Sequence, residues 1–256
     1  MIRAFFTILT ACLMTATLGS VMVISALIYP ARCVGRTCTF AWSRAILATS
    51  GVRLAVRGQP HVSTDSAQFF AGNHQSALDI PVLLTALRGN VRFLAKESLF
   101  RIPIFGRAMR AYGYIPIDRS NARKTLATIK QNLQRSGSAP ISLAVFPEGT
   151  RCRDGRLLPF RRGSIKIAKL SGLPVVPFTI DGSLRVHRRN VFKITPGQIT
   201  LTFHPPIQAA EVAQRSAAEI SDRVFAAVAS GFEGNAPLPH PAVPCDDSLT
   251  CSAEGL

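Results

Sequence analysis

Residues 68–87 read Gln68-Phe-Phe-Ala-Gly-Asn-His-Gln-Ser-Ala-Leu-Asp-Ile-Pro-Val-Leu-Leu-Thr-Ala-Leu87. The apolar run that ends at Gly72 suits a buried strand, and Ile80, Val82, Leu83 and Leu84 open a helix to Leu87. Between them lies a polar turn, Asn73 to Ile80. A strand, a turn and a helix in that order form the repeating unit of an α/β sheet. Ligand sites in such sheets favour the carboxyl ends of strands.

His74 and Asp79 give that turn its chemistry. Histidine moves protons near neutral pH because its unperturbed pKa is about 6.5. An aspartate bonded to one ring nitrogen fixes the tautomer that leaves the other free as a base. The competing possibility is a capping box, with Ser76 as N-cap and Asp79 three residues later tying down backbone N–H groups. On one ideal helix, residues five apart point roughly 140° away from each other. His74 therefore reaches Asp79 only from the turn, with Asp79 in the helix's first turn. Capping and catalysis share that geometry.

Working outward, the same alternation recurs. Gly51 to Gly58, Val91 to Ala95, Gly113 to Arg119, Ile141 to Phe146 and Pro174 to Ile180 have strand character, with helical segments between them. The fold expected is α/β, a mostly parallel mixed sheet flanked by helices. Val191 to Ile194 and Gln198 to His204 flank Pro196-Gly197 as a hairpin. Glu211 to Ala229 reads as one final helix, and the Pro-, Gly- and Ser-rich residues 231–256 as a disordered tail. Lys96 follows a strand end, where a lysine is either solvated or faces a phosphate. Pro147-Glu148-Gly149-Thr150-Arg151 ends another strand and gathers a carboxylate, a hydroxyl and a guanidinium. Arginine's planar fork suits phosphate.

Lys and Arg total 30 against 14 Asp and Glu, a formal net charge of +16, which calls for an anionic partner. A hydrophobic fraction of 47% directs that expectation to a membrane rather than to nucleic acid. From Ala4 to Ala31 there is no charged side chain, enough to cross a hydrocarbon layer of about 30 Å. Arg32, Arg36 and Arg44 follow it, so the positive-inside tendency places the bulk of the chain in the cytoplasm. Residues 1–50 are expected to form a membrane-embedded helix or two-helix hairpin, and 51–230 the catalytic domain. The six cysteines (Cys12, Cys33, Cys38, Cys152, Cys245, Cys251) show neither metal nor disulfide-scaffold spacing.

Four blocks stand in order: Asn73-His74-Gln75-Ser76-Ala77-Leu78-Asp79; Gly113 to Arg119; Phe146 to Arg151; and Leu173-Pro174-Val175-Val176-Pro177-Phe178. This order resembles the glycerolipid acyltransferase family, and within it the bacterial 1-acylglycerol-3-phosphate acyltransferases. The resemblance implies that His74 is the general base and that Asp79 orients it. It implies that Lys96, Arg119, Glu148, Gly149, Thr150 and Arg151 bind the acceptor, and that Pro174 and Pro177 are structural or line an acyl site. It implies no metal and no cofactor beyond acyl-CoA or acyl carrier protein as donor. The partners are then membrane lipids and a lysophospholipid acceptor, at the cytoplasmic face of the inner membrane. The product would be phosphatidic acid. Two rivals stay open: another acceptor such as lyso-ornithine lipid, and a non-catalytic basic protein bound to the membrane.

Overall fold

The computed structural model describes residues 1–28, 32–117, 127–129, 131, 141–152, 154–188 and 191–234. Its centre is a seven-stranded sheet of β1 (Val52–Arg57), β2 (Phe69–Gly72), β3 (Val91–Lys96), β4 (Ile115–Ile117), β5 (Ser142–Val145), β6 (Val175–Asp181) and β7 (Gly197–Phe203). The spatial order is β1-β7-β6-β2-β5-β3-β4, and every neighbouring pair is parallel except β6 with β7. This is the mostly parallel mixed sheet expected from the alternating pattern.

Both faces of the sheet are covered, which is why the inner strands read as unbroken apolar runs. Phe69 and Ala71 of β2 point into one core with Leu143, Val145 and Val175; Phe70 points into the other with Ala144, Val176 and Phe178. The first core is closed by α5 (Arg162–Ser171), through Ile165 and Ala168, and by α8 (Ala217–Ser230), through Ile220, Val224 and Val228. The second is closed by α3 (Asp79–Ala86) and by α2 (Arg32–Ser50), through Ile46 and Leu47. Gly72 ends β2 where no side chain fits: a Cβ there would lie 2.1 Å from the Phe178 carbonyl oxygen. Backbone cannot yield without breaking the β2–β6 ladder, so Gly72→Ala is expected to cost about 3 kcal/mol. A denaturant titration of the detergent-solubilised variant checks this.

α1 (Ile2–Ile28) and α2 run antiparallel. The Arg3 guanidinium donates to the Thr49 carbonyl (3.1 Å) and the Trp42 indole N–H to the Thr15 hydroxyl (3.0 Å). Among the described residues, α1 is the one helix long and apolar enough to cross a membrane by length and composition. Phe5, Phe6, Leu13, Ile24 and Leu27 stay exposed along it, a surface suited to lipid and indicative of membrane association. α1 also packs against α4 (Phe105–Tyr112) beside β3.

Two sequence expectations are corrected. Residues 191–194 form no strand and there is no hairpin across Pro196-Gly197. The two edges of β7 are taken by β1 and β6, and the Thr195 N–H donates to the Val186 carbonyl (2.9 Å) instead. The single helix expected from Glu211 to Ala229 is two, α7 (Ala209–Gln214) and α8, after the short α6 (Ser183–Val186). The break is Ser216, whose hydroxyl accepts the Glu219 N–H while the Glu219 carboxylate accepts the Ser216 N–H. That reciprocal pair is a capping box, and it restarts the helix. The tail expected from residue 231 lies outside the described residues from 235 onward.

Candidate active site

β2 leaves the sheet after Gly72, and Asn73 replaces the ladder it abandons. Its amide donates to the Ile180 carbonyl and accepts the Ile180 N–H, both at 2.7 Å. Fully paired in this way, the buried side chain costs little to desolvate and frees the chain to turn. His74 follows in that turn. Its ring stacks on Phe146 at 4.0 Å between centroids, and Phe146 stacks in turn on Phe93.

The His74 Nδ1 lies 2.8 Å from Asp79 Oδ2, and the Asp79 side chain is fully buried. The same oxygen accepts the N–H groups of Gln75 (2.7 Å) and Ser76 (2.8 Å). Three donors therefore converge on one carboxylate oxygen. A carboxylate at Nδ1 holds the proton there and leaves Nε2 as the lone-pair nitrogen. Asp79 is the first residue of α3, as the geometry required, but Ser76 is not its N-cap. Leu78 occupies that position, and the Ser76 hydroxyl donates to the His187 carbonyl (2.9 Å) while accepting the Leu78 N–H (3.3 Å) rather than that of Asp79. Only the carboxylate half of the expected box forms, because Asp79 already serves the loop and the ring.

The segment after β5 grips His74 from the other side. Glu148 Oε1 accepts the His74 N–H (2.9 Å), and the Cys152 N–H donates to the His74 carbonyl (3.0 Å). Gly149 sits between them at φ 71°, in the left-handed region that favours glycine, with the Arg161 side chain packed over it. Thr150 is exposed and Arg151 half-buried. Burial pushes the Glu148 carboxyl from its ordinary 4.5 up to about 8; the His74 and Leu158 N–H groups oppose the rise and the Asp79 charge adds to it. His187, lowered first by burial and then by the Arg151 charge, completes this side of the turn.

A pH dependence follows. Between about pH 4.5 and 8 the folded chain keeps a Glu148 proton that the unfolded chain has released, so this group's contribution to stability falls as pH rises through that window. His187 and His204, both lowered by burial, act in the opposite sense, so the expected quantity is a difference. Glu148→Gln should gain on wild type by on the order of a few kcal/mol from pH 5 to 8. Parallel stability curves for the two proteins contradict it.

Other anticipated positions fall along the same carboxyl edge. Lys96 is the last residue of β3, at the same carboxyl edge where Asn73 follows β2 and Pro147 follows β5. Lys96 is exposed there, and Ile117 pairs with it; Arg119 lies outside the described residues. Pro174 is not at this edge: it precedes β6 at the opposite edge, where its carbonyl accepts the Phe69 N–H (2.9 Å). Pro177 is buried within β6 beside Ala71, and its carbonyl accepts the His204 N–H at the end of the β7 ladder. Its missing N–H thus costs a bond only where pairing stops.

Sequence reasoning did not anticipate Asn73, Phe146, Cys152, Arg161 or His187 as parts of the site. Asn73 and Phe146 are the first residues of two of the four blocks, which carry no sign of the contacts they make; His187 and Arg161 come from distant segments with no local signal. Behind the aromatic stack lies an apolar cavity of about 120 Å³ between α1, α2, α4 and the sheet. Phe93, Ile80, Trp42 and Gly19 are among its walls, and Phe93 joins it to the Phe146–His74 stack.

A carboxylate-oriented histidine at the carboxyl edge of an α/β sheet is an arrangement suited to general-base chemistry. The family described as Acyltransferase matches residues 53–181, from β1 to the end of β6, and the chain belongs to that family. It is 35% identical over 158 residues to a 1-acyl-sn-glycerol-3-phosphate acyltransferase of Limnanthes douglasii, covering 61% of this chain and 55% of that protein. It is 29% identical over 174 residues to the alpha form of the enzyme from Homo sapiens, covering 68% and 62%. The chain thus spans little more than half the length of these relatives. Its fold matches the crystal structure of the 1-acyl-sn-glycerophosphate (LPA) acyltransferase PlsC from Thermotoga maritima with a TM-score of 0.77 at 23% identity, covering 91% of this chain and 94% of that one.

Proposed function

We propose that the protein transfers an acyl group from acyl-CoA or acyl carrier protein to the sn-2 hydroxyl of 1-acylglycerol 3-phosphate, forming phosphatidic acid. The observation that carries this is the 2.8 Å bond from His74 Nδ1 to Asp79, which leaves Nε2 as a base. Family membership and the names of the relatives support the substrate class.

In the reaction, Nε2 takes the hydroxyl proton as the oxygen attacks the thioester carbonyl. The tetrahedral intermediate collapses to the ester and expels the thiolate, which takes the proton back from the imidazolium. Asp79 holds the ring and balances its transient charge. No acyl-enzyme is needed, because the thioester is already activated and orientation of two bound substrates supplies much of the rate. Lys96 and Arg151 at the carboxyl edge bind the phosphate, joined by Arg119. The apolar cavity behind Phe93 takes the acyl chain. α1 lies in the cytoplasmic membrane with the sheet on the cytoplasmic side, the orientation set by Arg32, Arg36 and Arg44.

The test is a panel of acceptors given to full-length protein in mixed micelles with one acyl-CoA. Lysophosphatidate should be acylated far faster than a neutral monoacylglycerol or lyso-ornithine lipid. Equal rates for the neutral acceptor would remove the phosphate from the reading.

A further inference from the structure

The Glu148 carboxylate is a poor ligand for an anionic headgroup and a good one for the backbone of the catalytic turn. It is 3% exposed, whereas Thr150, two residues on, is exposed to solvent. Oε1 is engaged by the His74 N–H at 2.9 Å, and the Leu158 N–H also interacts with the carboxyl group. Together with the Cys152 N–H on the His74 carbonyl, this fixes the backbone on both sides of the His74 Cα. With those two points and the Phe146 stack set, the imidazole can reach Asp79 in only one orientation.

We propose that Glu148 is a positioning residue that acts through the His74 backbone, and that it does not bind the acceptor headgroup. The role requires reach and an acceptor oxygen, and it requires no charge. A neutral side chain also suits the site better, because Asp79 then remains the single negative charge facing the imidazolium, and a phosphate at Lys96 and Arg151 meets no buried anion. The rise of the Glu148 pKa to about 8 agrees with a neutral acceptor at neutral pH.

The proposal rests on the acyl-transfer reading and makes an ordering that separates reach from charge. Glu148→Gln keeps the reach and loses the titratable carboxyl; Glu148→Asp keeps the carboxyl and falls short by one methylene. Positioning predicts that Gln stays within about threefold of wild-type kcat while Asp loses about 10²-fold, each with KM for lysophosphatidate nearly unchanged. A headgroup ligand or an acid–base group predicts the reverse order, or a KM for lysophosphatidate raised tenfold or more in Gln; either result overturns the proposal. The second readout needs no turnover: the downfield proton resonance of His74 Nδ1–H, assigned by its loss in His74→Ala. It should persist in Glu148→Gln and broaden or shift in Glu148→Asp. If wild type acylates none of the acceptors but the resonance follows this order, the reaction is wrong and the positioning stands. A resonance unchanged in Glu148→Asp overturns the positioning.

Discussion

His74→Ala is expected to lower kcat by about 10³–10⁴-fold while KM for the acceptor stays within a few-fold, the range for removal of a general base. The split follows from geometry. Nε2 meets only the reacting hydroxyl, whereas the cations taken to hold the phosphate, Lys96 at the end of β3 and Arg151 after β5, belong to other strands. Nor should the fold suffer greatly, because the turn is held by backbone bonds from Cys152 and to Glu148 that alanine keeps. Initial rates over a range of lysophosphatidate concentrations, with circular dichroism of both proteins, measure this. A variant that kept a tenth of wild-type kcat would remove His74 from the chemistry.

Asp79 is expected to separate into two functions under substitution. Asp79→Ala strips the acceptor from three donors at once, and two of them are backbone N–H groups in a buried turn. Stranding a buried donor costs about 1–3 kcal/mol, so the loss should be about 3 kcal/mol in stability together with a fall in kcat of about 10³-fold. Asp79→Asn retains an oxygen for those donors and removes the charge that balances the imidazolium. It should therefore lose less stability than Asp79→Ala, keeping the backbone donors paired while its amide nitrogen takes the place of an oxygen that has no hydrogen-bond partner, and it should still lose most of its activity. If Asp79→Asn were destabilised as much as Asp79→Ala, the charge and not the acceptor oxygen would be holding the turn.

Much of this site is legible in the sequence because it is built from strand ends. A buried strand between two covered faces is apolar along nearly all its length, so Phe69 to Ala71 and Leu143 to Val145 stand out, and the polar residues that follow mark the edge of the sheet. The His74–Asp79 pair is legible for the same reason, since a helix beginning at Asp79 leaves the two side chains one way to meet. What the sequence conceals is pairing between segments far apart in the chain. Nothing local says that the Asn73 side chain serves β6, that Glu148 faces the His74 backbone, or that Ser76 forgoes capping to hold His187. The hairpin expected at 191–204 fails on the same ground. Alternation and a Pro-Gly turn predict a strand pair, but partner choice is decided by β1 and β6, which already flank β7. Ser216 is a different case: its Ser-x-x-Glu signature lay in plain view inside an apolar periodicity that continued past it.

The claim that His74 acts as base in direct transfer between two bound substrates is tested most directly by coupling two products. Full-length protein in mixed micelles is given an acyl-CoA, with and without lysophosphatidate, and free thiol and phosphatidic acid are measured together. One thiol should be released per phosphatidic acid formed, with no thiol release without the acceptor and neither product from His74→Ala. Thiol released without acceptor, as free fatty acid or as acylated protein, or phosphatidic acid formed by His74→Ala at the wild-type rate, would contradict it.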